Sequence, residues 1–163
     1  MTLRAPEILA DHHQIADFDC GVPALDEWLK RRALANQTSG ASRTYVACDD
    51  SAVGGYYALA SGAVTTSAAP GRFRRNMPDP IPVVILARLA VGLEYHGKGL
   101  GRALFRDAAK RVLHASDVIG IRGLLVHAIS EEAKAFYLAL GLTPSPLEPL
   151  TLMVSLTDLR AAL

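Results

Sequence analysis

The order of elements legible in this 163-residue chain predicts an α/β layered domain. Three observations carry that expectation. Residues 23–37 repeat apolar side chains at helical spacing. Two β-prone runs, 43–48 and 53–60, lie a short turn apart. Two strongly apolar runs, 81–91 and 123–128, are each followed by the start of a helix.

In the first helix Leu25, Trp28, Leu29 and Ala33 share one face, Pro23 suits the first turn, and Gly40 suits a stop. Arg43–Cys48 and Val53–Ala60, separated by Asp49-Asp50-Ser51, read as a hairpin. Residues 70–80 are proline-bounded and basic, a loop with room for one helical turn. Ile81–Val91 reads as a central strand. Leu100, Ala103, Leu104, Ala108, Val112 and Leu113 then keep a helical period to about residue 114. Gly123–Ala128 reads as a buried strand. Ser130 caps a helix that begins with Glu131-Glu132 and ends near Leu140-Gly141. Leu150–Leu156 closes as a strand. No repeat or linker divides the chain, so one domain over 1–163 is expected.

Half the residues are hydrophobic, enough for a sizeable core, and no apolar stretch is long enough to span a membrane. No secretory signal is visible. Cys20 and Cys48 lack metal-ligand spacing and read as reduced, partly buried thiols in a cytoplasmic protein, with no metal expected. The net charge of +1 conceals an uneven distribution. Residues 51–115 carry nine Lys/Arg against three Asp/Glu, whereas residues 1–50 carry five against eight. A basic middle between acidic flanks suits a polyanionic ligand.

The sharpest chemical signal is His96-Gly97-Lys98-Gly99-Leu100-Gly101-Arg102. A strand ends near Val91, a short turn follows, and glycines open a helix. Amides at a helix start have no internal acceptor, and the dipole makes that end positive. Glycines remove the side chains that block an approaching phosphate, and Lys98 and Arg102 add charge. The spacing is not that of a P-loop, because Lys98 is followed by Gly99. Nor is it the dinucleotide pattern, because the glycines fall Gly-x-Gly-x-Gly. A tight turn that binds nothing stays open on spacing alone.

Residues 86–104 resemble the acetyl-CoA-binding motif of the GCN5-related N-acetyltransferases (GNAT), [Arg/Gln]-x-x-Gly-x-[Gly/Ala], with Gly99 and Gly101 at the glycine positions and His96 where Arg or Gln is usual. Leu89-Ala90-Val91 matches the family's bulged strand, whose backbone pairs with the pantetheine arm. Glu131–Tyr137 followed by Gly141-Leu142 resembles its second coenzyme-contacting segment. The resemblance implies the GNAT fold, a mixed, mostly antiparallel central sheet flanked by helices and splayed at the acetyl-CoA site. It implies acetyl-CoA as co-substrate, held by Leu89, Ala90, Val91, His96, Gly97, Lys98, Gly99, Leu100, Gly101, Arg102 and Ser130. It also places Tyr137 at the family's general-acid position, as proton donor to the departing thiolate; a phenol is protonated at neutral pH.

A narrower likeness runs through Cys20–Leu29, Ser42–Val46, Gly55–Ala60, Pro78–Pro82 and Gly120–Ala128, which are similar to the acetyltransferase toxins of bacterial type II toxin–antitoxin pairs. That resemblance implies acetylation of the α-amine of aminoacyl-tRNA, which stops translation. It further implies a ribbon-helix-helix antitoxin, operator DNA bound only with that antitoxin, and a homodimer. Arg72, Arg74 and Arg75, with Lys30, Arg31 and Arg43, are the residues suited to tRNA phosphates. A solvated basic loop is the plainer reading of the same run.

No general base is evident. Esterification lowers the α-amine's pKa, so much of it is neutral near pH 7 and water can take the proton. His12 and His13 read as surface residues, His114 as the exposed end of a helix, His127 as a core histidine, and Phe136 as core. Two other functions stay open. One is a GNAT enzyme acting on a small amine or a protein N-terminus; the other is a catalytically silent coenzyme-binding regulatory module.

Overall fold

The computed structural model describes residues 2–163. It is a mixed α/β structure with a seven-stranded, mostly antiparallel sheet in the order β1-β2-β3-β4-β5-β7-β6. The strands are β1 (Glu7–Ile8), β2 (Arg43–Asp49), β3 (Ala52–Val64), β4 (Ile81–Val91), β5 (Gly123–His127), β6 (Thr143–Pro144) and β7 (Thr151–Ser155). The helices are α1 (Pro23–Arg31), α2 (Ala33–Ser39), α3 (Gly71–Arg74), α4 (Leu100–Ala115), α5 (Glu131–Ala139) and α6 (Leu156–Ala162). Backbone contacts gather the chain into two compact units.

The first unit comprises the residues up to Ala60 together with Ala87–Ala108. β2 and β3 pair antiparallel from Arg43↔Leu59 to Asp49↔Ala52, with a bulge at Ala47/Cys48. Leu25 and Leu29 of α1 and Ala33 of α2 pack with Val46, Cys48, Val53 and Tyr56 to form its core. The single helix expected over 23–37 is broken at Arg32, whose φ of −119° departs from the helical value. No glycine or proline marks that break, so the local residues do not announce it. Gly40, at φ +88°, ends α2 as a left-handed cap.

The second unit comprises Ser61–Leu86 and Ala109–Leu163. Here β4 and β5 run parallel, in register from Val84↔Leu124 to Leu86↔Val126, and β5 pairs antiparallel with β7 from Gly123↔Ser155 to His127↔Thr151. Phe73 of α3, Ile81, Val83, Leu125 and Met153 form its core. β7 stops at Ser155 instead of running to Leu156. The Ser155 hydroxyl there accepts the Asp158 N–H at 3.2 Å and starts α6, a Ser-x-x-Asp cap that the sequence already carried. β3 runs on to Val64, four residues past its expected end.

At Gly123 there is no room for a side chain: a Cβ would collide with the Val154 carbonyl and the Ser155 backbone across the β5–β7 pair. Gly123→Ala is expected to cost about 2 kcal/mol or more, as other overpacked substitutions do. Thermal denaturation would report this as a fall in Tm of roughly 5 °C.

Candidate active site

The glycine turn belongs to the first unit. β4 ends at Val91, one 3-10 turn covers Leu93–Tyr95, and α4 begins at Leu100. Gly97 and Gly99 have φ of +75° and +80°, a backbone region that costs other residues about 1–2 kcal/mol. A Cβ at either position would meet nothing within 4 Å. The positive φ therefore bends the path, and the bare backbone leaves open space beside it. The first amide of α4 to bond backwards is Ala103, to the Gly99 carbonyl at 3.1 Å. The amides of Leu100, Gly101 and Arg102 thus precede any acceptor inside the helix.

The turn rests on a rigid base. Tyr95 is buried and lies so close to Gly54 that a Cβ there would be 2.7 Å from its ring. The Gly92 N–H donates to the Gly54 carbonyl at 2.8 Å. The Lys98 ammonium sits 5.9 Å from the centre of the Tyr95 ring. His96 is exposed, and its Nε2 lies 2.7 Å from the Val91 carbonyl oxygen. A carbonyl only accepts, so Nε2 carries the hydrogen and His96 braces the end of β4. One face of α4 is held as well, because the Tyr57 hydroxyl donates to Asp107 at 2.5 Å. Leu89, Val91, Leu100 and Gly101 are half-buried, Ala90 is buried, and Arg102 is exposed.

Beside β4, Trp28 stacks on Tyr56 at 6.0 Å with planes 8° apart, and the Arg88 guanidinium lies 5.1 Å from the Trp28 ring centre. Tyr56 donates to the Leu25 carbonyl at 2.6 Å, fixing the column. Sequence reasoning singled out neither Arg88 nor this stack. Arg31 pairs with Glu27 at 2.6 Å, Arg43 donates to the Gln37 carbonyl at 3.0 Å, and Lys30 is exposed.

In the second unit, α5 carries Tyr137, 7% exposed, with its ring set edge-on to Phe136 at 5.1 Å. Burial pushes the phenol up to about 12, so it stays protonated at neutral pH. Ser130 caps α5 by accepting the Ala133 N–H at 3.1 Å, and its own hydroxyl hydrogen is free to turn outward. Phe136 is half-buried and His114 exposed. Two histidines differ from expectation. His127 is exposed, because β5 ends there and the ring stands beyond the core. His13 is buried, because its Nδ1 accepts the Ala10 N–H and its Nε2 faces Glu7, both at 2.9 Å. Glu7, His12 and His13 are close enough to hold a cation, but both nitrogens of His13 are already engaged. Cys20 and Cys48 are buried, and burial raises both thiols to about 11, outside the reactive range.

The basic run 72–75 divides in two. Arg72 makes a two-pronged contact with Asp158, Nε at 3.0 Å and Nη2 at 2.7 Å. Phe73 is buried, and Arg122 donates to the carbonyls of Phe73 and Arg72 at 2.8 and 2.9 Å. Arg74 and Arg75 are exposed and line a shallow pocket with Thr66, Ser67, Gly71 and Arg72. Arg72 is thus engaged within the fold, whereas Arg74 and Arg75 present their side chains to solvent.

Residues 40–143 match the model of the acetyltransferase (GNAT) domain family. The chain is 50% identical, over 96% of its own length and 95% of the relative's, to a tRNA-acetylating toxin of Mycobacterium tuberculosis. It superposes at a TM-score of 0.90, with 30% identity and 98% of each chain covered, on AtaT complexed with acetyl-methionyl-tRNAfMet. A tyrosine-to-phenylalanine mutant of AtaT, bound to the C-terminus of the antitoxin AtaR and to acetyl-CoA, matches at 0.84 with 29% identity, covering 99% of this chain and 97% of that one. Among the described residues no helix is long and apolar enough to cross a membrane.

Gly99→Ala would put a Cβ on a left-handed residue at the mouth of α4. It is expected to weaken acetyl-CoA binding about tenfold by calorimetry, roughly 1.4 kcal/mol, while the circular dichroism spectrum is unchanged.

Proposed function

Because this chain belongs to the GNAT acetyltransferase family, we propose that it is the toxin of a type II toxin–antitoxin pair and moves an acetyl group from acetyl-CoA to the α-amine of aminoacyl-tRNA. The observation that carries the tRNA reading is identity at half of all aligned positions with a tRNA-acetylating toxin. One acetyltransferase domain over 1–163 performs the reaction. The partners are aminoacyl-tRNA, a ribbon-helix-helix antitoxin, operator DNA through that antitoxin, and a second copy of the chain. The compartment is the cytoplasm.

In this reading the coenzyme's pyrophosphate binds the amides from Gly97 to Gly101, with Lys98 and Arg102 adding charge. Leu89–Val91 offer backbone groups to the pantetheine arm, and Ser130 offers its hydroxyl. The acceptor nitrogen attacks the thioester carbonyl, a C–N bond forms and the C–S bond breaks. The Tyr137 hydroxyl donates a hydrogen bond to the departing sulfur. A phenol near 12 is a weaker acid than an alkyl thiol, whose reference value is about 8.5, so Tyr137 stabilises the leaving thiolate mainly by its hydrogen bond and the thiolate takes its proton from solvent. Arg74 and Arg75 are the cations of the basic loop left to meet tRNA phosphates; Lys30, Arg31, Arg43 and Arg72 add weaker contacts.

The test incubates the protein with labelled acetyl-CoA and either charged or uncharged tRNA. Label on charged tRNA alone supports the proposal, and label on neither sinks it. Tyr137→Phe is expected to lower kcat about 10²-fold, with acetyl-CoA affinity within twofold of wild type. The double variant Arg74→Ala/Arg75→Ala should raise KM for charged tRNA about tenfold and flatten its salt dependence. An enzyme acting on small amines would be indifferent to that change.

A further inference from the structure

We infer that His127 takes the proton from the acceptor amine; this rests on the acetyl-transfer reading and adds to it the base that the sequence does not disclose. Three observations within the second unit support it.

The first is a relay that fixes the ring's hydrogen. Thr151 Oγ1 lies 3.4 Å from Glu148 Oε2 and 2.9 Å from His127 Nδ1. A hydroxyl has one hydrogen, and a carboxylate oxygen only accepts. Thr151 therefore gives its hydrogen to Glu148 and accepts one from His127. With the hydrogen on Nδ1, the neutral ring carries its lone pair on Nε2. When Nε2 takes a proton, the positive ring stays hydrogen-bonded through Thr151 toward Glu148, the role an orienting carboxylate plays for other catalytic histidines.

The second is that the relay is firmly held. Thr151 is buried and pairs with His127 in the β5–β7 register. Its N–H donates to the Glu148 carbonyl at 2.9 Å. The Ser145 hydroxyl accepts the N–H groups of Leu147 and Glu148, both at 3.2 Å, and donates to the Ala68 carbonyl at 2.5 Å. An ordinary surface turn has no need of that much order around an exposed histidine.

The third is position. His127 follows Val126, the last β5 residue in parallel register with β4, and it is exposed. Ligands of open α/β sheets sit beyond the carboxyl ends of parallel strands. Three residues further on, Ser130 caps the helix that carries Tyr137.

The step balances. The amine lone pair attacks the acetyl carbonyl carbon, the C–N bond forms and the C–S bond breaks. Nε2 of His127 removes one hydrogen from that nitrogen, and the sulfur leaves as the thiolate, held by the hydrogen bond from Tyr137. Water then carries the proton from the imidazolium to the thiolate, which restores His127 and releases the thiol.

The experiment uses the full chain, labelled acetyl-CoA and two acceptors, charged tRNA and an amino-acid methyl ester. His127→Ala is expected to lower kcat about 10²-fold with KM for acetyl-CoA within twofold, and added free imidazole should restore part of the rate. Imidazole should do nothing for Tyr137→Phe. Thr151→Val, which keeps the shape and removes the hydroxyl, should lower kcat several-fold and leave KM unchanged. His127→Ala with more than half the wild-type kcat, or with a loss that imidazole does not touch, overturns the inference. Acetylation of the ester without acetylation of charged tRNA would defeat the toxin reading instead, and His127 is then judged on the ester.

Discussion

A helix offers its first amides to a ligand only when the chain reaches it along a path that keeps side chains away, and Gly97 and Gly99 provide that path. Their positive φ turns the backbone from the end of β4 into α4 within a few residues, and the side of each where a Cβ would stand is open. The supports are equally specific. Tyr95 fills the space that a side chain at Gly54 would occupy, and His96 holds the last carbonyl of β4. His96 replaces the arginine or glutamine usual in the family. Its ring is spent on the backbone of the turn, so in the proposed reading the amides and Lys98 meet the phosphate.

The two groups proposed to donate a hydrogen bond and to take a proton both lie in the second unit. Tyr137 is buried enough to remain a neutral hydrogen-bond donor at any physiological pH. His127 is in the opposite situation, exposed at a strand end with one nitrogen tied to Thr151. Burial and exposure therefore suit the two groups to opposite tasks, one giving a hydrogen bond and the other receiving a proton.

Much of this was legible before any coordinates. The glycine spacing announced the turn, because positive φ and free amides both follow from local chemistry. The Ser130 cap, the Gly40 stop and the existence of the two apolar strands were legible for the same reason; their parallel pairing was not. What was hidden depends on residues far apart in the chain. His127 reads as core from its apolar neighbours, and only the end of β5 exposes it. The break at Arg32 has no local marker. His13 looks like a surface residue until Glu7 and the Ala10 amide close on it. The start of α6 is a different case: Ser155 and Asp158 carried the signal, and the apolar run leading up to Leu156 concealed it.

The clasp between Arg72 and Asp158 ties the posture of the basic loop to the last helix of the chain. With α6 docked, one arginine is neutralised against the C-terminal segment and two point outward. Were α6 to peel away, a third guanidinium would be released to the same face. Any change that removes Asp158 or unfolds α6 therefore leaves Arg72 without this carboxylate and raises the net positive charge of the loop it belongs to.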